Sequence, residues 1–267
     1  MRLVDSHCHL QADRFDADVD QVIGAARMAG VERILVPGWD LDSCRGALDL
    51  VDRFRFLDAA VGVHPHDAER VDDGAWAGVA ALASDPRVVA TGETGLDYDR
   101  LFSPVTAQLA NLRRNLRLAA DTGKPAILHC RSVAGRRDAQ DALLAEIRAF
   151  GPTPPPVLIH SFSGPLDYAD AMLDLGAAIS FSGLSFRTGE ETTGEVARRT
   201  PSDRILVETD SPFLSPPGAP RRRNEPEWVR VTAAWIADLR GQDRDAFGDQ
   251  VVANYDRVFQ RTPTTIA

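Results

Sequence analysis

The six histidines of the chain fall in four short motifs, and each motif closes an apolar run. The first run ends Asp5-Ser6-His7-Cys8-His9. In an extended strand residues i and i+2 point the same way, so His7 and His9 can share a face while Cys8 turns from it. Taken alone, such a pair is as readily two unrelated polar side chains near a surface turn. The other motifs shift that balance: Val63-His64-Pro65-His66, Leu128-His129-Cys130-Arg131 and Ile159-His160-Ser161. Carboxylates occupy equivalent places, Glu93 in Gly92-Glu93-Thr94 and Asp210 in Glu208-Thr209-Asp210. A carboxylate just past an apolar run is costly to bury unless it is paired or bound to metal. Imidazoles converging with carboxylates satisfy that requirement, and this donor mix suits zinc, manganese, iron or cobalt better than all-oxygen magnesium chemistry.

Positioning these groups requires a scaffold that gathers strand ends. Short apolar runs recur at 2–5, 33–36, 57–63, 87–92, 125–129, 156–160, 177–182 and 204–209. Helical spacing fills the gaps, as at 105–122 with Leu109, Leu112, Leu116 and Ala119, and at 165–176. Eight buried strands, each followed by a helix, predict one closed parallel (β/α)8 TIM barrel spanning 1–267 as a single domain. In such a barrel the chemistry collects at the carboxyl ends of the strands, where all six histidines fall. The alternative is an open doubly wound sheet, but no GxGxxG follows the first strand. Trp228 and Trp235, seven apart on the last helical segment, have core spacing.

Bulk properties narrow the setting. A chain of 267 residues buries enough surface to fold without disulfides or structural metal. Its three cysteines form no CxxC pair, and no apolar run reaches membrane-spanning length, so a reducing, cytoplasmic setting is expected. Cys8 and Cys130 each adjoin a candidate ligand, but alternation turns both into the packing. The net charge of −9 argues against a protein that wraps along a nucleic-acid backbone. No membrane and no obligate protein partner is expected.

The motifs DSHCHL at 5–10, GVHPHD at 62–67, GETGLDYD at 92–99, LHCR at 128–131, HSFSG at 160–164, ISFSG at 179–183, ETDSPFL at 208–214 and RRNEP at 222–226 resemble the TatD family of metal-dependent hydrolases. They appear in the family's order from residue 5 to about 259. The resemblance implies an amidohydrolase-like barrel holding two divalent ions (zinc, manganese, magnesium or cobalt). His7 and His9 would hold one ion, and Glu93 would bridge to a second held by His129 and His160. Asp210 would bind the first ion and orient or deprotonate the attacking water, so Asp210 and Glu93 are the catalytic candidates. Ser161 stands where many members carry cysteine.

By the same resemblance the activity would be phosphodiester hydrolysis at nucleic-acid ends, DNA above all, from the 3′ end. A metal-dependent deacylase or amidohydrolase, acting for example on aminoacylated RNA ends, is the alternative, because the same site can attack a carbonyl. A binding-only scaffold is the third reading, and the intact Asp210 argues against it. For substrate contact the candidates are His64, Arg131, Arg222 and Arg223, since arginine matches phosphate bidentately. His66 is left between a supporting and a loop role, and Asp97 and Tyr98 between a supporting or substrate role and a turn role. Trp39, Phe102 and Phe213 could stack on bases, but loop aromatics more often cap the core, which is the expectation here.

Overall fold

The computed structural model describes residues 1–261. Eight strands form in chain order: β1 (Leu3–Asp5), β2 (Val31–Pro37), β3 (Leu57–Val61), β4 (Val88–Asp97), β5 (Ala126–Arg131), β6 (Val157–Ile159), β7 (Ala178–Phe181) and β8 (Ile205–Val207). Each pairs in parallel with the next in a single sheet. All eight expected runs are strands, and the fold is a (β/α)8 barrel. Strands covered on both sides are apolar throughout, and seven of them are almost wholly buried, with Ile34, Leu35, Val36, Ala59, Ala60, Leu158, Ile179 and Leu206 fully so.

Helices alternate with the strands: α1 (Val19–Met28), α2 (Leu41–Arg53), α3 (Asp73–Leu82), α4 (Val105–Thr122), α5 (Asp138–Ala149), α6 (Leu166–Asp174) and α7 (Thr193–Arg199). Two more follow β8, namely α8 (Val229–Leu239) and α9 (Arg244–Val258), and both pack against β1 and β8. They cover a seam. β1 and β8 share no strand ladder; the ring is closed by Ser6 N donating to Val207 O at 3.1 Å, Asp210 N to His7 O at 2.9 Å and His9 N to Ser211 O at 2.8 Å.

Two expectations differ from the structure. β4 runs to Asp97 rather than stopping at 92, because after a register irregularity between Thr91 and Thr94 it resumes pairing with β5. Glu93 lies inside that irregularity, its amide diverted to Gly38 O at 2.9 Å, and such a bulge re-aims a side chain. Glycine permits it. A Cβ on Gly62 would stand 2.5 Å from Gly92 Cα, and Gly92 itself has φ +119°. The tryptophan pair is not a core stripe either. Trp228 belongs to a 3-10 turn before α8, and Trp235 is half-buried against Phe186, leaving the core face of α8 to Val229, Ala233, Ile236 and Ala237.

Candidate metal centre

The carboxyl ends of five strands deliver their polar side chains to one point, the Glu93 carboxylate. Its Oε2 lies 3.1 Å from His7 Nε2 and 3.5 Å from His9 Nε2. Its Oε1 lies 2.8 Å from His160 Nε2, 3.2 Å from His129 Nδ1 and 3.3 Å from His64 Nε2. Asp210 Oδ1 joins the first pair, 3.4 Å from His9 Nε2 and 3.8 Å from His7 Nε2. All six expected ligands therefore converge. Burial pushes the Glu93 carboxyl up, but His160, His64 and His7 outweigh it and hold the group well below the usual glutamate range. Burial acts likewise on Asp210, and the hydrogen bond from His9 prevails, so Asp210 also stays ionised more readily than a free aspartate.

The donor chemistry fits metal. Two imidazole nitrogens, His7 Nε2 and His9 Nε2, face each other at 3.2 Å, and His129 Nδ1 faces His160 Nε2 at 3.4 Å. Two such nitrogens gain little unless a proton or a metal cation lies between them, and against the cost of burial Glu93 and Glu208 hold the His160 imidazole well above its ordinary value. The opposite nitrogen of two rings meets an acceptor, which fixes the tautomer and frees the inner lone pair: His9 Nδ1 meets Pro37 O at 3.2 Å and His160 Nδ1 meets Glu208 Oε1 at 3.1 Å, while His129 Nε2 lies in ionic contact with Asp97 Oδ2 at 3.4 Å. Three donor groups of ligating geometry result: His7, His160 and Asp210; His7, His9 and Glu93; His64, Glu93 and His129.

His64 is the exception within them. Its Nδ1 accepts from the His66 amide at 3.1 Å, so its proton belongs on Nε2, the nitrogen that faces Glu93. Burial lowers this imidazole to about 4, keeping it neutral. It is thus built as a donor of hydrogen bonds.

The residues behind the ligands were only half visible in the sequence. Asp97 divides its two oxygens between the histidines and the turn that follows β4. Oδ2 meets His66 Nε2 at 2.7 Å as well as His129, while Oδ1 accepts from the amides of Asp99 (3.0 Å) and Arg100 (2.8 Å). Burial opposes ionisation of Asp97, but the bonds from His129 and His66 outweigh it and set its carboxyl below the ordinary value. Glu208 is fully buried with Oε1 on His160. At the end of β1, Asp5 accepts from Thr209 Oγ1 at 2.6 Å, and burial raises its carboxyl to about 8. From α4, Gln108 Oε1 accepts from Asp97 N at 2.8 Å and Asn111 Nδ2 donates to Val63 O at 2.6 Å, which pins the ends of β3 and β4. Their signal was available: amides at 108, 111 and 115 interrupt the inward stripe of α4.

The arginines do not gather at the centre. Arg223 makes a bidentate pair with Asp18 at 2.7 and 2.8 Å, a further bond to Glu225 at 2.7 Å, and lies 5.0 Å over the Phe15 ring. Its guanidinium fastens the segment after β8 to the approach of α1 and has no donor to spare for phosphate. Arg131 pairs with Asp99 at 2.9 Å. Arg222 is exposed, and no ion pair among the described residues involves it. The loop aromatics also depart from expectation. Trp39 is half-buried on the His9 edge at 5.3 Å, but Phe102 and Phe213 are 59% and 52% exposed and cap no core.

Comparison with known proteins agrees with this picture. The family described as TatD related DNase matches residues 4–260. A protein named 3'-5' ssDNA/RNA exonuclease TatD from Erwinia billingiae is 35% identical over 265 residues, covering 97% of this chain and 99% of its own. An uncharacterized metal-dependent hydrolase, YabD of Bacillus subtilis, is 32% identical over 259 residues, with coverage of 97% and 99%. Among solved structures, the TatD homolog YJJV from Escherichia coli superposes with a TM-score of 0.87 at 29% identity, covering 98% of this chain and 99% of its own.

Proposed function

The chain belongs to the TatD related DNase family, and from that premise we propose that it is a metal-dependent nuclease that removes nucleotides from single-stranded nucleic-acid ends, DNA in the first place, from the 3′ side. The observation that carries the reading is the division of Glu93, with Oε2 on His7 and His9 and Oε1 on His129 and His160. One carboxylate shared between two imidazole pairs is suited to bridging two divalent ions of the zinc, manganese, magnesium or cobalt kind. His7, His9 and Asp210 would hold the first, and His129 and His160 the second. Such ions lower the pKa of a water towards about 7 and offset charge on the phosphate.

The protein's own groups supply the rest. Asp210, 15% exposed at the mouth, accepts the proton of the attacking water. Glu208 and the Pro37 carbonyl hold His160 and His9 in the ligating tautomer, and Asp97 places its charge beside His129. His64 offers Nε2–H to a non-bridging phosphate oxygen, and Arg222 and Arg131 stand at the rim as secondary contacts. A cytoplasmic setting belongs to the same reading; no described helix is long and apolar enough to cross a membrane.

A panel assay tests it. Purified protein loaded with manganese, magnesium, zinc or cobalt is given end-labelled single- and double-stranded DNA, RNA, and an N-acyl amino acid. Release of mononucleotides from single strands is the expected result. Turnover of the acyl compound alone would move the chain to the deacylase reading.

A further inference from the structure

The six imidazoles and two phenylalanines form one unbroken row of ring contacts. From one end it runs Phe213–His9 (6.2 Å between centroids), His9–His7 (4.8 Å), His7–His160 (3.9 Å) and His160–His129 (5.6 Å). It continues His129–His64 (4.8 Å), His64–His66 (4.2 Å) and His66–Phe102 (4.7 Å). An exposed phenylalanine thus terminates each end of the candidate metal centre. Large apolar side chains exposed to solvent are few, and their placement is uneven. Leu101, Phe102, Val105, Val133 and Phe213 all lie in or beside the segments after β4, β5 and β8, on the face of the barrel that carries the ligands; Met28 alone lies elsewhere.

Two of the cations expected to grip a polyanion are already engaged, and Arg222 is left exposed at the rim. Arg223 is held by Asp18 and Glu225, Arg131 by Asp99, and the whole chain carries a net charge of −9. A nucleic-acid strand therefore has little basic surface to follow beside the reacting phosphate, whereas a π-face waits on either side of it. Every base offers a matching face, but only when it is unstacked from its neighbours and free of its complement.

We propose that Phe213 and Phe102 are stacking platforms for the unpaired nucleobases on the two sides of the scissile phosphate, and that they are what restricts the enzyme to single-stranded ends. The assignment rests on the nuclease reading above and adds the device that selects the substrate. Paired bases are stacked on their neighbours and bonded to their complements, so a blunt duplex offers neither ring a free base face. Because stacking carries much of the attachment, binding depends on salt less steeply than for a protein that neutralises many phosphates.

The test uses the metal-loaded protein and a short oligonucleotide with 2-aminopurine at its terminal position behind a cleavage-resistant linkage, so that fluorescence reports stacking in the uncut complex, while the same strand with an ordinary linkage reads cleavage. A second oligonucleotide carries abasic residues at the two terminal positions. Wild type is expected to perturb the 2-aminopurine signal and to bind the base-bearing strand more tightly. Phe213→Ala and Phe102→Ala are each expected to lose roughly five- to a hundredfold in affinity for that strand. The double variant should bind base-bearing and abasic strands alike, with metal content unchanged. Phe213→Leu keeps apolar bulk without a π-face and should behave like the alanine variant. Cleavage and affinity that stay at wild-type level in the alanine variants, or are fully retained by leucine, overturn the stacking role and leave the nuclease reading intact. Binding and fluorescence changes that follow the prediction without any cleavage preserve the stacking role and remove the nuclease reading. Failure of wild type to bind the base-bearing strand overturns both.

Discussion

At the scale of single residues, Asp210 and Glu208 separate two jobs that a carboxylate can do beside a metal. Asp210 has φ +54°, so the chain leaves strand geometry there and simple alternation no longer decides where either side chain points. Both face the site, but at different depths. Asp210 is partly open to the mouth, whereas Glu208 is fully buried against His160. Asp210→Asn should lower kcat by about 10²–10⁴-fold, the usual worth of general-base assistance, with an unchanged melting curve. Stopped-time cleavage of a labelled strand checks this, and a fully active variant removes Asp210 from the base role. Glu208→Gln and Asp97→Asn should instead weaken metal retention by about 10–100-fold, the effect usual for partners of ligating histidines. Competition with a chromophoric chelator measures that loss. The converging imidazoles and carboxylates are legible because polar side chains just past apolar runs are conspicuous. The tautomer of His64 and the double duty of Asp97 are not, since both depend on which atom of a neighbouring backbone comes within reach.

At the scale of elements, the eight strands and the principal helices could be read from apolar spacing, since burial on both faces imposes it. Periodicity failed where a side chain binds its own surroundings instead of a ligand. Arg223 is the clearest case. A basic run after β8 suggests phosphate contact, but the Asp18 carboxylate and the Phe15 face are distant in sequence and adjacent in space. Arg223→Ala should therefore lower the melting temperature by a few degrees and leave KM for nucleic-acid ends near its wild-type value. Arg222→Ala, with no such partners, should leave stability alone. Thermal denaturation beside steady-state kinetics distinguishes them; a raised KM with unchanged stability for Arg223→Ala would restore it as a phosphate contact. Position in sequence placed both arginines at the rim, but only the fold shows which one is already engaged.

At the scale of the whole molecule, the core is an apolar barrel whose interior strands are closed to solvent without help from the ligands. Removing metal with a strong chelator should accordingly abolish hydrolysis while circular dichroism stays native, with melting lowered only by the linkage between metal binding and folding. Unfolding on chelation would make the ions structural. The seam between β1 and β8 gives this linkage a location. Three main-chain bonds close the ring there, and two of them involve the amides of His9 and Asp210, with His7 accepting from the second. The backbone that completes the circle is thus the backbone that carries His7, His9 and Asp210, three of the candidate donors. Deuterium uptake at the amides of Ser6, His9 and Asp210 should slow as an ion is taken up there, while amides of β5 and β6 change little, so isotope exchange at one joint becomes a gauge of occupancy that needs no substrate.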